Sequence, residues 1–258
     1  MRRFNRFHAS LVLLLIACAP IVWWWLTLER YPPIRDVFPT GELVVAIDPS
    51  YPPFGYLIAG EYAGIDVDLA RAIGQRMGLT VRFVPTSYDG IYDAVVTGTA
   101  DVAFGATQVD GNRGGDTRYT WGYFNNGLVL VSPSDAPLYE GATLTDKTLA
   151  VEYGSLADAE ARLWTRRVRG LTLQHHPTAT AALESVRAGN AQAAIVDYTA
   201  FRVYQTDSAW AGYTTFLTDA YFAGVVRADR RAVLYHLNQA LLDILNSGQM
   251  DDILSKHF

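Results

Sequence analysis

From residue 41 onward the hydrophobic period of the chain switches repeatedly between that of a strand and that of a helix. This alternation leaves few architectures open. Residues 43–47, Leu-Val-Val-Ala-Ile, form a short apolar run suited to a buried strand, and 66–77 then place Leu69, Ile73 and Met77 on one helical face. Strand patterns recur at 81–84, 102–104 and 128–131, and residues 88–97 put Ile91, Ala94 and Val95 on a helix face that Gly98 ends. A second set follows, with strands at 149–151, 171–173 and 193–196 and helices at 156–168 and 178–188. A strand at 222–226 precedes a helix at 230–246 with a wide apolar stripe (Val233, Leu237, Leu241, Ile244); Gly248 interrupts the pattern and 250–254 resume it. Alternation of this kind predicts mostly parallel sheets covered on both faces, and two such sets predict two α/β lobes. Ligands in these folds gather beyond the carboxyl ends of strands, which here carry Asp48, Gly105, Glu152 and Asp197.

The first 36 residues have a different character. Arg2, Arg3 and Arg6 precede an uncharged stretch at 10–28, long enough to cross a hydrocarbon core with its start held on the cytoplasmic side. The expectation is an N-terminal membrane helix acting as an uncleaved signal anchor. Leu15-Ile16-Ala17-Cys18 also looks like a bacterial lipobox, which makes lipidation at Cys18 the second reading. Residues 31–40, with Pro32, Pro33 and Pro39, read as a stiff tether. Removing residues 1–36 leaves 16 basic against 24 acidic side chains, a body that would repel a phosphate backbone, so nucleic acid is not an expected partner. Cys18 is the chain's one cysteine, which excludes an internal disulfide framework and a cysteine-based zinc site. No cofactor fingerprint is present, and Asp66 and Asp68 read as helix-start residues rather than metal ligands.

Several segments carry a family likeness in their order and spacing. Asp48-Pro-Ser-Tyr51-Pro-Pro-Phe54 follows the first strand, and Gly64-Ile-Asp66-Val-Asp68-Leu69 opens a helix. Asp101-Val-Ala-Phe-Gly105 has Arg113 twelve residues after its Asp, Gly154-Ser155 follows a strand, and Ala194-Ile-Val-Asp197 ends another. From about residue 41 to 258 the chain resembles the extracellular solute-binding proteins of polar amino-acid ABC transporters (family 3 type, periplasmic-binding-protein-like II). The resemblance implies two lobes joined by a two-segment hinge, with residues 41–128 and 222–258 in lobe one and 129–221 in lobe two. It implies a non-enzymatic receptor on the extracytoplasmic face of a bacterial membrane, delivering its ligand to an ABC permease. It also implies roles: Arg113 for the ligand carboxylate, Asp197 for its ammonium, Tyr51 and Tyr88 around its side chain, and Asp48 at its polar tip. Gly105, Ala106, Gln108 and Ser155 complete the implied site. The chain departs from the family at Ala106 and Gln108, where small hydroxyl residues are common, and at Leu156, where a threonine often stands.

The residue chemistry agrees with that mapping. A free amino acid is a zwitterion and needs a planar cationic donor and a carboxylate, which Arg113 and Asp197 supply. Asp48 and Glu152 together favour a cationic side chain, so arginine or lysine is the expected ligand, then glutamine. Two other readings stand beside this one. The first is an enzyme resembling the exported cyclohexadienyl dehydratases, with Glu152 as the acid. The second is a membrane-tethered sensory ligand-binding domain.

Overall fold

The computed structural model describes residues 31–113 and 115–258. The uncharged stretch at 10–28, Cys18 and both readings of the N-terminus lie outside the described residues. Among the described residues no helix is long and apolar enough to cross a membrane.

Two five-stranded sheets organise the chain. In the first, strand Glu42–Ile47 lies between Thr80–Pro85 and Val102–Phe104, parallel to both, and Val225–Arg227 and Thr117–Tyr119 follow in antiparallel sense. In the second, Thr148–Glu152 lies between Thr172–His176 and Ala193–Asp197, parallel to both, while Leu128–Pro133 and Gly212–Phe216 complete the sheet antiparallel. The sheets are therefore mixed rather than mostly parallel. The parallel strands run toward the space between the sheets and end there. Leu128–Pro133 and Val225–Arg227 start from the crossovers in that same space, so they point the opposite way. Asp197 pairs with Leu128 and Ala103 with Val225.

Period-two alternation builds a core on each face of both sheets. Leu43, Val45 and Ile47 face helices Ile65–Met77 and Arg231–Asn246, while Val44 and Ala46 face Ile91 and Val95 of helix Ile91–Val96. In the second sheet Val129, Val131, Ala194 and Val196 pack with Leu183 and Val186 of helix Ala179–Arg187. Leu130, Leu149, Val151 and Ile195 pack on the other side with Ala161 and Trp164 of helix Leu156–Thr165.

Two segments cross between the sheets. Phe124–Asn125 pairs antiparallel with Tyr221–Phe222 to form a short ladder of its own, so the expected strand at 222–226 is two strands interrupted at Ala223–Gly224. Gly127 is required here, because a Cβ would collide with the Thr218 carbonyl where the crossovers touch. Phe124 lies in a ring cluster with Phe54, Phe222, Tyr198 and Phe258. Burying Phe54 and Phe124 fully is worth about 2–3 kcal/mol each. Helix Tyr198–Ser208, which the sequence pattern did not mark, reaches this cluster from the second sheet. Its Arg202 stacks on the Phe258 ring at 4.7 Å and its Thr206 hydroxyl donates to the Phe258 carbonyl.

The segment expected to be a tether is docked along part of its length. Tyr31 stacks on Tyr235 with ring centroids 4.5 Å apart, the Pro32 carbonyl meets His236 Nε2 at 2.8 Å, and Phe38 enters the first core.

Candidate functional site

The loops that leave the parallel strands converge on the space between the two sheets. After strand Glu42–Ile47, the buried Asp48 accepts through Oδ1 from the backbone N–H and the hydroxyl of Ser50, at 3.0 and 2.6 Å. This turn presents Tyr51, whose ring lies 5.8 Å from that of Phe54 and is 42% exposed. After strand Val102–Phe104, a Cβ at Gly105 would run into Ile91 Cδ1, so glycine lets the loop pass close over helix Ile91–Val96 without displacing that side chain. Ala106 follows with φ of 48°, a left-handed conformation that costs an alanine about 1–2 kcal/mol. Two contacts hold it there. The Ala106 N–H donates to Asp66 Oδ2 at 2.8 Å, and the next carbonyl, of Thr107, accepts from Ala223 N at 2.9 Å.

Asp66 therefore does more than start a helix. It is fully buried and also accepts from the Tyr123 hydroxyl at 2.6 Å, joining the cleft loop to the crossover. Burial raises its carboxyl to about 7; the bonds from Tyr123 and Ala106 oppose that rise, and Asp48 adds to it. Asp68 has a separate task, accepting from Lys256 Nζ at 2.6 Å and contacting His257 Nε2 at 2.8 Å, which ties helix Gln249–His257 to helix Ile65–Met77.

The facing loops of the second sheet are organised by helix caps. Ser155 Oγ accepts from Asp158 N at 3.1 Å and donates to the Glu152 carbonyl at 2.8 Å. Glu152 Oε2 accepts from Ala179 N at 3.0 Å, at the start of helix Ala179–Arg187. Asp197 Oδ1 accepts from Ala200 N at 2.9 Å and caps helix Tyr198–Ser208. Asp158 fixes the loop from behind: it accepts from Gly154 N at 3.0 Å and from Arg162 Nε and Nη2 at 2.8 and 2.9 Å, with His175 Nε2 at 3.0 Å. The Arg162 bonds hold its carboxyl well below the usual range, against the effect of burial.

Three adjoining cavities occupy the cleft. One of about 390 Å³ is lined by Asp48, Ser50, Tyr51, Tyr88, Gly105, Ala106, Gln108 and Asn126. One of about 690 Å³ faces the second sheet and includes Gln108, Asn126, Glu152, Ser155, Leu156, Glu160, Asp197 and Asp219. One of about 430 Å³ holds Tyr88, Tyr92, Gln108, Asp110 and Arg113. Gln108 borders all three, Asn126 two, and Tyr88 two. All ten site residues named from the sequence thus line this cleft, but Arg113 and Asp197 occupy separate compartments that meet at Gln108. Arg113 lies 4.2 Å over the Tyr92 ring, with Nε 3.8 Å from Asp110. The Tyr51 hydroxyl titrates higher than usual through burial, then the charge of Asp197, then Tyr88, so Asp197 acts electrostatically across the gap.

Sequence reasoning missed Asn126, Asp219, Glu160 and Ser50. Asn126 Oδ1 accepts from the N–H and hydroxyl of Thr199, and Asp219 accepts from Asn125 Nδ2 at 2.7 Å, so both brace the crossovers while bordering the cleft. The Asn-Asn-Gly turn at 125–127 was the available signal for the first. The largest of these three cavities has four carboxylates on its wall, Glu152, Glu160, Asp197 and Asp219, and among the described residues no lysine, arginine or histidine.

The profile of the bacterial extracellular solute-binding proteins, family 3, matches residues 43–258, and the chain belongs to that family. It is 26% identical over 228 residues to the L-arginine-binding protein of Pseudomonas aeruginosa, an alignment covering 83% of this chain and 86% of that one. A shorter alignment, 27% identical over 124 residues, covers 48% of this chain and 48% of a probable histidine-binding protein of Campylobacter jejuni. Among solved structures, the substrate-binding protein of a polar amino acid ABC uptake transporter from Streptococcus thermophilus superposes with a TM-score of 0.76 at 22% identity, covering 87% of this chain and 88% of that one.

Proposed function

We propose that the chain captures a free amino acid with a cationic side chain, arginine or lysine before glutamine, outside the cytoplasm and presents it to an ABC permease. The observation that carries this reading is the charge distribution of the cleft. Its largest compartment is walled by four carboxylates, and the adjoining one sets the single guanidinium of Arg113 beside Asp89 and Asp110. That polarity suits a ligand with two positive groups and one carboxylate. In this reading Asp197 takes the α-ammonium, Arg113 the α-carboxylate, and Tyr51 and Tyr88 flank a side chain whose charged end meets Asp48 or Glu152. Drawing the two lobes together would exclude water and strengthen each contact. The arginine- and histidine-binding relatives support the same ligand class.

In this reading the cleft binds without reacting. Glu152, the acid a dehydratase would need, commits one carboxylate oxygen to the backbone of Ala179. The N-terminal anchor of the proposal rests on the uncharged stretch at 10–28 and its arginine flank.

Calorimetry of the full chain against the twenty amino acids tests the reading. Micromolar or tighter binding of arginine or lysine is expected. Heat with none of the twenty, or conversion of prephenate or arogenate, contradicts it.

A further inference from the structure

Arg113 rests on a residue of the cleft wall to which the proposed function assigns no role, Tyr92. Arg113 closes a short helical turn, Gly111–Arg113, and its side chain is more than half exposed. A long side chain on such a support samples many rotamers, and ordering it on ligand binding would cost entropy. Here it has an aromatic support. Its guanidinium carbon sits 4.2 Å from the centroid of the Tyr92 ring. Tyr92 is anchored twice, by its backbone in helix Ile91–Val96 and by a hydroxyl–hydroxyl bond of 3.0 Å to Tyr119 on the edge strand Thr117–Tyr119. Tyr119 and Arg113 are themselves linked through the short connection in which the Thr117 hydroxyl donates to the Arg113 carbonyl at 2.8 Å.

We infer that Tyr92 is a positioning residue for ligand recognition, a fixed aromatic platform that holds the Arg113 guanidinium ready for the ligand's carboxylate. The inference rests on the proposed pairing of Arg113 with that carboxylate. Stacking occupies the face of the guanidinium and leaves its N–H edge free, and bidentate carboxylate recognition uses that edge. Asp110 lies 3.8 Å from Nε, beyond hydrogen-bond distance, and no described hydrogen bond takes Nη1 or Nη2. The cavity that Arg113 borders also contains Tyr88 and Gln108, with Asp89 and Asp110, and Gln108 links it to the rest of the cleft. The ring matters and the hydroxyl serves only to fix it.

The test is the affinity of the full chain for L-arginine in five forms: unmodified, Tyr92→Leu, Tyr92→Phe, Arg113→Met and the double variant Tyr92→Leu/Arg113→Met, with thermal melts to verify folding. Tyr92→Leu is expected to weaken binding roughly tenfold, the size of a partly desolvated cation–π contact, and Tyr92→Phe to restore most of the loss. In the Arg113→Met background, Tyr92→Leu should add nothing. Unchanged binding in Tyr92→Leu overturns the inference, as does an equal loss with and without Arg113, which would mark a general structural role. Absence of binding of any of the twenty amino acids to the unmodified chain overturns the receptor reading and this inference with it. Binding without the selective loss overturns this inference alone.

Discussion

The two halves of the cleft are braced by the same device with opposite electrostatics. In each, an aspartate in the first turn of a helix reaches back to a backbone N–H of the loop that borders the ligand space. Asp66 holds Ala106, and Asp158 holds Gly154. Among the described residues Asp66 has no cation beside it; it accepts from the Tyr123 hydroxyl and the Ala106 N–H with Asp48 nearby, and burial drives its carboxyl up to about 7. Asp158 has Arg162 in a two-point grip and His175 at its flank, and its carboxyl is held well below the usual range. A buried hydrogen-bond acceptor can therefore serve as a brace whether or not it is charged, but the choice fixes the direction in which pH acts on that half.

The sharpest way to break the comparison is Asp66→Ala. It leaves the Ala106 N–H and the Tyr123 hydroxyl buried without an acceptor, and each unsatisfied donor costs about 1–3 kcal/mol. Urea unfolding should show a loss of about 2–5 kcal/mol, and a loss under 1 kcal/mol would mean that Asp66 is not a brace.

Next in size is the pH response of Asp66. Its folded value lies above its unfolded one, so its stabilising contribution is complete below the ordinary carboxylate range. That contribution declines as pH rises and is gone above about 7. Melting curves across pH 4–8 should show the unmodified chain losing stability relative to Asp66→Asn as pH rises, and parallel curves would refute this. Asp158 should act in the opposite direction. Its lowered value means that its contribution is present above the ordinary carboxylate range and is lost as pH falls below it. Asp158→Asn should melt lower at pH 7, and the gap to the unmodified chain should shrink with acidification toward pH 3.

Much of this arrangement could be read from the residues, and the unread parts have physical causes. Strand Glu42–Ile47 and helix Arg231–Asn246 carry clean periodicities, and the acids at strand ends follow from where such strands stop. Helix Tyr198–Ser208 went unmarked because Tyr-Thr-Ala-Phe-Arg-Val-Tyr mixes aromatic and β-branched residues that fit a strand equally well. It forms because Asp197 caps it and Phe201 and Tyr204 find a core. Strands Leu128–Pro133 and Val225–Arg227 were marked but their direction was not, because local pattern does not encode it; the crossover from which each strand starts decides it. Asp66 read as a helix-start residue from sequence, since its partners Ala106 and Tyr123 lie 40 and 57 positions away. The orientation of Arg113 onto Tyr92 was likewise invisible, because only the fold brings helix Ile91–Val96 under the turn Gly111–Arg113.

The central claim is that charges from opposite halves grip one zwitterion, and Asp197→Asn tests it most directly. Asparagine keeps the helix cap at Ala200 and removes only the charge. Titrated with L-arginine, the variant should bind at least about thirtyfold more weakly, the lower end of the cost of stranding a buried charge partner, with its melting temperature nearly unchanged. Binding as tight as that of the unmodified chain would contradict the account.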